Sequence, residues 1–572
     1  MSNSVYPDVD DDDFYEFVNK KYSKYKIPKT KKTLKEICFP TKYEFQIPQK
    51  FLAEFINPKT PYTGILVYHR IGAGKTCAAI NIAEKFKKIK KIMIVLPASL
   101  KGSFRSELRS PCAGENYLTD SERSLLKRYH PSSREYQDII KKSDARIDKY
   151  YTIYSYNKFI NLIQTNSLRL GNTLLIIDEI HNMISETGTY YENLYDTIHN
   201  APDSLRLVIM SATPIFDKPI EIALTMNLLL RDEQLPTGHE FIREFMDIRY
   251  VNNTPQYEVK NMDEFKEYVR GFVSYYRGAP PHVFPQTELH LVRTRMSDRQ
   301  ERLYKRILAK EAKVSTIQDY VNVDISNSFF IGTRMVSNFF FPNGKIGAEG
   351  FASLKDRDFK LDRLREFSPK FAKILRRIKK CDGTVFIYSN FKEFGGIRTF
   401  VEVLKHHAFK DYETHGPGSK RFAIWSGDQT ASYKEEVKAV FNNKNNFDAS
   451  QIKVILGSPS IKEGVSLLRV QEVHIIEPYW NNSKVAQIIG RAIRYCSHKD
   501  VPKEKQIVKV YIYMAVHPKI DMSVDEHIMK MAQTKERING QFELALKEAA
   551  IDCELFKNAN VYPGEDDIQC EK

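Results

Sequence analysis

From about residue 43 onward, short apolar runs alternate with longer stretches of helical spacing. Runs of strand length stand at residues 64–68, 92–96, 151–155, 173–177 and 205–210, and a second set at 383–388, 421–425, 452–456, 472–476 and 508–513. Near-continuous apolar runs are the mark of strands buried on both faces. The stretches between them carry one apolar helical face: after residue 76, Ala79, Ile82, Ala83 and Phe86 follow the i, i+3, i+4, i+7 spacing. The pattern predicts an α/β fold of two tandem domains, each a parallel sheet with helices on both faces. Residues 296–380 read as mainly helical and strongly charged, a helical insertion ahead of the second main sheet. Residues 521–572 read as a helical C-terminal tail ending in an acidic coil. The expected divisions are a charged N-terminal extension at 1–42, a first domain at 43–285, a second at 286–520 that includes the insertion, and the tail.

Composition narrows the class. The 572 residues are 42% hydrophobic and 28% charged, enough for sizeable cores, and 25 Gly with 25 Pro exclude a collagen-like or low-complexity chain. Lys plus Arg number 87 against 72 Asp plus Glu, a formal charge of +15. That excess points to a polyanionic partner, most simply nucleic acid. Within the first 42 residues, an acidic run at 8–13 precedes a Lys/Tyr-rich stretch at 20–35, blocks that read as solvated tails. Seven scattered cysteines without C-x-x-C spacing argue against a zinc ribbon and suit a reducing compartment. No apolar run approaches the ~20 residues that span a bilayer, and no signal-peptide core opens the chain, so an intracellular or virion-packaged protein is expected.

Candidate chemistry begins at Gly72-Ala73-Gly74-Lys75-Thr76, directly after the first strand. A Gly-rich turn lets backbone N–H groups converge on phosphate oxygens at a helix N-terminus, the Lys meets the β/γ-phosphates, and the Thr hydroxyl serves Mg²⁺. The strand at 173–177 then ends in Asp178-Glu179-Ile180-His181. Asp178 is the candidate second Mg²⁺ residue, and Glu179 the candidate base for the attacking water. A strand closing in an acidic turn is the plainer reading of that run, which its position after the phosphate loop weakens. Ser211-Ala212-Thr213-Pro214 follows another strand, and its hydroxyls are placed to bond His181 or the acidic pair. In Gln487-Ile488-Ile489-Gly490-Arg491-Ala492-Ile493-Arg494, one continuous helix would bring Gln487, Arg491 and Arg494 to one face. Such a face suits capture of a γ-phosphate, or a nucleic-acid backbone.

These four motifs, in this order and strand context, resemble those of superfamily 2 DExH helicases and translocases, which are built of two RecA-like domains. The chain is more specifically similar to transcription NTPases of large cytoplasmic DNA viruses, such as poxvirus nucleoside triphosphatase I and the early transcription factor small subunit. The similarity lies in Asn57-Pro58-Lys59-Thr60-Pro61-Tyr62, Tyr388-Ser389-Asn390-Phe391, Glu463-Gly464-Val465-Ser466-Leu467, Glu477-Pro478-Tyr479-Trp480-Asn481 and Ala550-Ile551-Asp552-Cys553. Helicases of giant viruses and cytoplasmic linear plasmids read similarly.

The resemblance implies ATP and Mg²⁺ as cofactors, with Gly72, Ala73, Gly74, Lys75, Thr76 and Asp178 around them. Gln49 would read adenine, Gly464 would couple ATP to the nucleic acid, and 96–100 would touch the tracked strand. Glu179, Arg491, Arg494 and Gln487 would be the catalytic set. It implies a nucleic-acid-stimulated ATPase working with RNA polymerase in viral transcription, on DNA in preference to RNA, located in the virion and host cytoplasm. Two other readings remain: an ATP-switched clamp with little turnover, and a duplex translocase that separates no strands. His69 stands where the full phosphate loop has its first Gly. The insertion has no role in the resemblance, and its Phe339-Phe340-Phe341-Pro342 reads as core more readily than as a base-separating wedge.

Overall fold

The computed structural model describes residues 6–29, 32–70, 72–130, 133–184, 188–251, 254–313, 325, 328–461, 465–562 and 564–572. The chain forms two compact units: residues 1–280 with 537–572, and residues 281–536.

In the first unit the strands are β1 (Gly64–His69), β2 (Lys91–Leu96), β3 (Tyr151–Ser155), β4 (Thr173–Asp178), β5 (Arg206–Ser211), an antiparallel pair β6 (Met246–Val251) and β7 (Thr254–Val259), and β8 (Val273–Tyr276). All but the pair form one parallel sheet in the order β3-β2-β4-β5-β1-β8. β1 and β4 are buried along their whole length, as central strands of a covered parallel sheet must be. Because β4, β5 and β1 are neighbours and run the same way, the segments that follow them emerge together at one sheet edge.

In the second unit, β9 (Gln286–Arg295), β10 (Thr384–Tyr388), β11 (Lys410–Asp411), β12 (Arg421–Trp425), β13 (Val454–Gly457), β14 (Val470–Ile475) and β15 (Ile507–Val516) form a second parallel sheet. Its order is β11-β12-β13-β10-β14-β15-β9. The two units are thus the RecA-like α/β pair that the motifs imply.

Between β9 and β10 the regular elements among the described residues are helices, including Asp298–Glu311, Ile331–Asn338, Leu361–Phe367 and Pro369–Lys380. This stretch is no appendage. Phe339, Phe340 and Phe341 are buried in the core of the second unit beside Phe367 and Phe371.

Described residues near both ends of the chain are built into the first unit. The helix Phe14–Lys21 follows the acidic run and ends within the Lys/Tyr-rich one, yet it buries Phe14, Tyr15 and Val18 in the core with Phe51, Phe55 and Phe556. Tyr15 Oη donates to Ala549 O at 2.8 Å, and Ile27 N to Leu555 O at 2.8 Å. The charge runs that suggested a solvated tail flank an apolar stripe that is only a few residues long. The chain enters the first unit again within the helix Val524–Glu548, and the helix Cys553–Asn560 follows. Cysteine spacing also misled: Cys77 pairs with Cys112 and Cys553 with Cys570 as disulfides. Among the described residues, no helix is long and apolar enough to cross a membrane.

Candidate ATP-hydrolysis site and the second unit's motifs

The phosphate loop leaves β1 at His69 and closes on the helix Lys75–Phe86. Gly72 (φ 85°) and Gly74 (φ 69°) sit in the left-handed region. At Gly74 a second constraint applies, since a Cβ there would lie 2.4 Å from Gln49 Nε2. Only glycine satisfies both conditions without strain. Ala73 is buried, and Lys75 and Thr76 form the first turn, where the helix presents its positive end to an anion.

Gln49 lies in the helix Ile47–Phe55. It is buried, its Nε2 donates to Gly74 O at 3.2 Å, and its Oε1 accepts from Gln46 N at 2.9 Å. Its amide therefore braces the glycine that opens the phosphate-loop helix.

β4 delivers the acidic pair beside this loop. Tyr156 Oη donates to both Asp178 O (2.6 Å) and Glu179 O (2.9 Å), pinning the turn in which Glu179 takes a left-handed conformation (φ 52°). Lys75 Nζ then forms an ion pair with Glu179 Oε1 at 3.0 Å, with both side chains mostly but not wholly covered. The backbone N–H of Glu179 donates to Asp178 Oδ1 at 3.0 Å.

His181 organises the third side. Asn182 Nδ2 lies 3.2 Å from His181 Nε2. An amide nitrogen can only donate, so Nε2 accepts and Nδ1 carries the proton. Nδ1 stands 3.3 Å from Ser211 Oγ and 3.4 Å from Glu179 Oε2. Ser211, at the end of β5, thus reaches His181, and its Oγ accepts from Thr213 N at 3.0 Å. Phe216 stacks on the imidazole with centroids 4.8 Å apart. The loop carrying Phe216 is held by Glu221, whose carboxylate accepts from Phe216 N (2.6 Å) and Asp217 N (2.9 Å). Burial pushes the Glu221 carboxyl up to about 7. No motif marks Glu221.

A buried polar chain lies under the phosphate loop at the position of the missing first glycine. His69 is fully buried, and its Nε2 stands 3.0 Å from Ser274 Oγ on β8. The Ser274 hydroxyl in turn donates to Asp552, whose other oxygen accepts from Tyr275 N at 2.9 Å. Ser274 thus bridges the Asp552 carboxyl and the His69 imidazole. Burial and the nearby Lys75 charge hold it down to about 3. Burial pushes Asp552 up to about 7. Asp552 appears in the sequence only within the Ala550–Cys553 likeness; what it holds is the strand next to β1.

In the second unit, Gln487 lies on the helix Asn482–Ile489, half-buried. That helix ends at Ile489, so the single face expected for Gln487, Arg491 and Arg494 does not form. Gly490 caps it, and the two arginines stand in the turns that follow. Arg491 is buried, and its carbonyl accepts from Leu467 N at 2.8 Å. Arg494 Nη2 donates to Val465 O at 3.0 Å, while its buried Nε has no hydrogen-bond partner among the described residues. Burial and Arg491 lower its guanidinium to about 10, which leaves it charged at neutral pH. Glu463 and Gly464 lie outside the described residues; Val465, the next residue, is the one Arg494 holds.

Two motifs from the viral likeness meet at Glu477. Its carboxylate accepts from Ser389 Oγ (2.9 Å), Asn390 N, Asn390 Nδ2 (3.2 Å) and Asn338 Nδ2 (2.8 Å). Asn338 Oδ1 accepts from Lys370 Nζ at 3.0 Å, and Lys370 pairs with Asp525 at 2.7 Å, all buried. The helical stretch after β9 therefore supplies Asn338 and Lys370 to the polar core beneath these motifs.

Residues 20–216 match the family model described as the type III restriction enzyme res subunit, and residues 369–496 match the helicase conserved C-terminal domain. The chain is 70% identical, over the full length of both proteins, to a protein of Acanthamoeba polyphaga mimivirus named as an ATP-dependent RNA helicase. A second mimivirus protein with the same naming is 27% identical over 95% of this chain and 78% of its own length. A termination factor NPH-I homolog of African swine fever virus is 26% identical over 86% of this chain and 76% of its own. With a relative this similar along its whole length, and with both helicase regions matched, the chain belongs to the superfamily 2 viral ATP-dependent helicases.

Proposed function

We propose that this helicase hydrolyses ATP at the Lys75–Glu179 site, that nucleic acid stimulates the hydrolysis, and that the enzyme acts with RNA polymerase in viral transcription. The observation that carries the reading is the 3.0 Å Lys75–Glu179 ion pair at the edge shared by β1, β4 and β5. Phosphates arriving at the loop compete for the Lys75 ammonium. Glu179 loses its cation and becomes the acceptor for a water proton, with His181, itself against Ser211, on its other side. Asp178 and Thr76 offer a carboxylate and a hydroxyl, the hard oxygen donors that Mg²⁺ takes. The ion would neutralise charge on the phosphates. Gln49, already against Gly74, is the proposed adenine reader. Gln487, Arg491 and Arg494 are the second unit's proposed contribution to hydrolysis, and Gly464 its link to the polymer. Replacing either arginine with Ala is expected to cut turnover ~10³-fold or more if it acts as a finger, with far less loss of ATP affinity.

The competing reading is an ATP-switched clamp. Its buried polar chain would then serve a bound state rather than turnover. Steady-state ATPase with no polymer, single-stranded DNA, duplex DNA or single-stranded RNA, across a salt series, separates the two. Strong stimulation by at least one polymer is expected, with DNA favoured, and the apparent affinity should weaken steeply with salt. Hydrolysis that no polymer alters at low salt leaves the clamp. Stimulation by RNA alone keeps the enzyme and reverses the DNA preference; the mimivirus relative is named for RNA.

A further inference from the structure

The helix Asp298–Glu311 opens the stretch of the second unit for which the motifs supply no role. Arg299, Arg302 and Arg306 follow the i, i+3, i+7 spacing and so share one face. With Leu303, Phe340, Pro342 and Gly344 they line an open groove of about 340 Å³. The outer two arginines are fixed. Arg299 pairs with Glu366 at 2.9 Å and lies 5.6 Å from the Phe340 ring, and Arg306 Nη2 donates to Gly344 O at 3.1 Å across the groove. Arg302, between them, is exposed and has no hydrogen bond or ion pair among the described residues. The acids nearby do not cancel this charge: Glu301 is buried and paired with Lys305, and Glu366 is shared with Arg363.

We propose that this groove is a seat for the phosphate backbone of the nucleic acid on which the helicase acts. A rise of ~1.5 Å per residue spreads the three arginine roots over roughly 10 Å of groove, a row that suits a polymer rather than one small anion. Two pinned guanidiniums keep unused N–H donors, and the planar fork matches phosphate oxygens. The apolar wall offers no base-stacking platform, since Leu303 and Phe340 are buried. The contact is therefore to the backbone and carries no sequence choice. The proposal rests on the helicase reading for its polymer, though not on polymer stimulation of the ATPase.

The test is fluorescence anisotropy of labelled single-stranded and duplex oligonucleotides with the full chain over a salt series. The variants are Arg302→Gln, the triple Arg299→Gln/Arg302→Gln/Arg306→Gln, and Arg134→Gln, which removes an equal charge from a 92%-exposed site in the other unit. Arg302→Gln should weaken binding several-fold and reduce the slope of log affinity against log salt by ~0.7–0.9, and the triple variant by about three times that. Arg134→Gln should match the unmodified protein. Unchanged affinity and slope in Arg302→Gln and the triple variant overturn the proposal. So does an equal loss in Arg134→Gln, which would make the effect one of net charge. If the triple variant fails to fold for want of the Arg306 brace, Arg302→Gln decides alone, since it has no bond to lose. Intact oligonucleotide binding with lost binding of poly-glutamate would assign the groove to an acidic protein segment and overturn the proposal. A lost slope in Arg302→Gln alongside an ATPase that ignores polymer would keep the groove and sink the proposed stimulation.

Discussion

Glu179 and Glu477 occupy equivalent places in their own sheets, just past the C-terminal ends of β4 and β14. Their surroundings are opposite. Glu179 remains 16% exposed, and its strongest partner is one lysine that an incoming anion can claim. Glu477 is buried, and its carboxylate is saturated by donors from Ser389, Asn390 and Asn338, while burial raises its carboxyl above the usual range. One carboxylate is held by an interaction that a ligand can exchange. The other is held by neutral donors that have nowhere else to go. A strand-end acid is thus read as chemistry or as scaffold by the replaceability of its partners, not by its position in the fold.

The comparison breaks most visibly at turnover. Glu179→Gln should lower ATP turnover by roughly 10²–10⁴-fold, the range for losing a general base. It should leave ATP affinity and unfolding midpoints near those of the unmodified protein, because Lys75 and Asp178 remain. Stopped-flow binding of a fluorescent ATP analogue, run beside steady-state hydrolysis, checks both halves. If affinity collapses together with rate, Glu179 is scaffold like Glu477, and the contrast fails.

Glu477→Ala should act the other way round. It strips the partner from the buried Asn338 amide and Ser389 hydroxyl and from the half-buried Asn390 N–H, at a cost of at least about 3 kcal/mol. Urea unfolding followed by tryptophan fluorescence is a suitable readout, since Trp480 lies three residues away and is buried. A variant that unfolds normally but loses hydrolysis would place Glu477 among the reacting groups.

What the sequence reveals follows the same division. The phosphate loop, the acidic pair and the buried strands were legible because each is a contiguous pattern whose meaning is local. β9 was not: it is an edge strand of the second sheet, with Leu289 and Leu291 exposed, so it shows no apolar run. The turn at Gly490 hides in the same way, because nothing in Gln487–Arg494 other than one glycine announces that the helix stops before both arginines. Burial of Phe14, Tyr15 and Val18 was masked by the charges around them. The polar chain under the loop was beyond reach, as Asp552 lies 278 residues after Ser274 and only the fold joins them.

That chain yields the smallest of the expected effects, and one with a definite sign. Burial raises Asp552 from an ordinary 3.8 to about 7 in the folded protein. Between those values the native state keeps a proton that the unfolded chain releases. Its contribution to stability is therefore full below pH 4 and is lost as pH rises toward 7. Asn at this position does not titrate. The stability of Asp552→Asn relative to the unmodified protein should then improve as pH rises from 4 to 7, by at most about 1.4 kcal/mol per unit. Two neighbours titrate in the first unit as well. His69, held down to about 3, loses stability as pH falls below 6.5, and Glu221, raised to about 7, behaves as Asp552 does. Both are present in each protein and cancel in the difference. Paired urea titrations at pH 5, 6 and 7 give that difference directly. A difference that does not move with pH would mean that Asp552 is ionised throughout. The chain from Asp552 through Ser274 to His69 would then hold a buried negative charge beneath the phosphate loop.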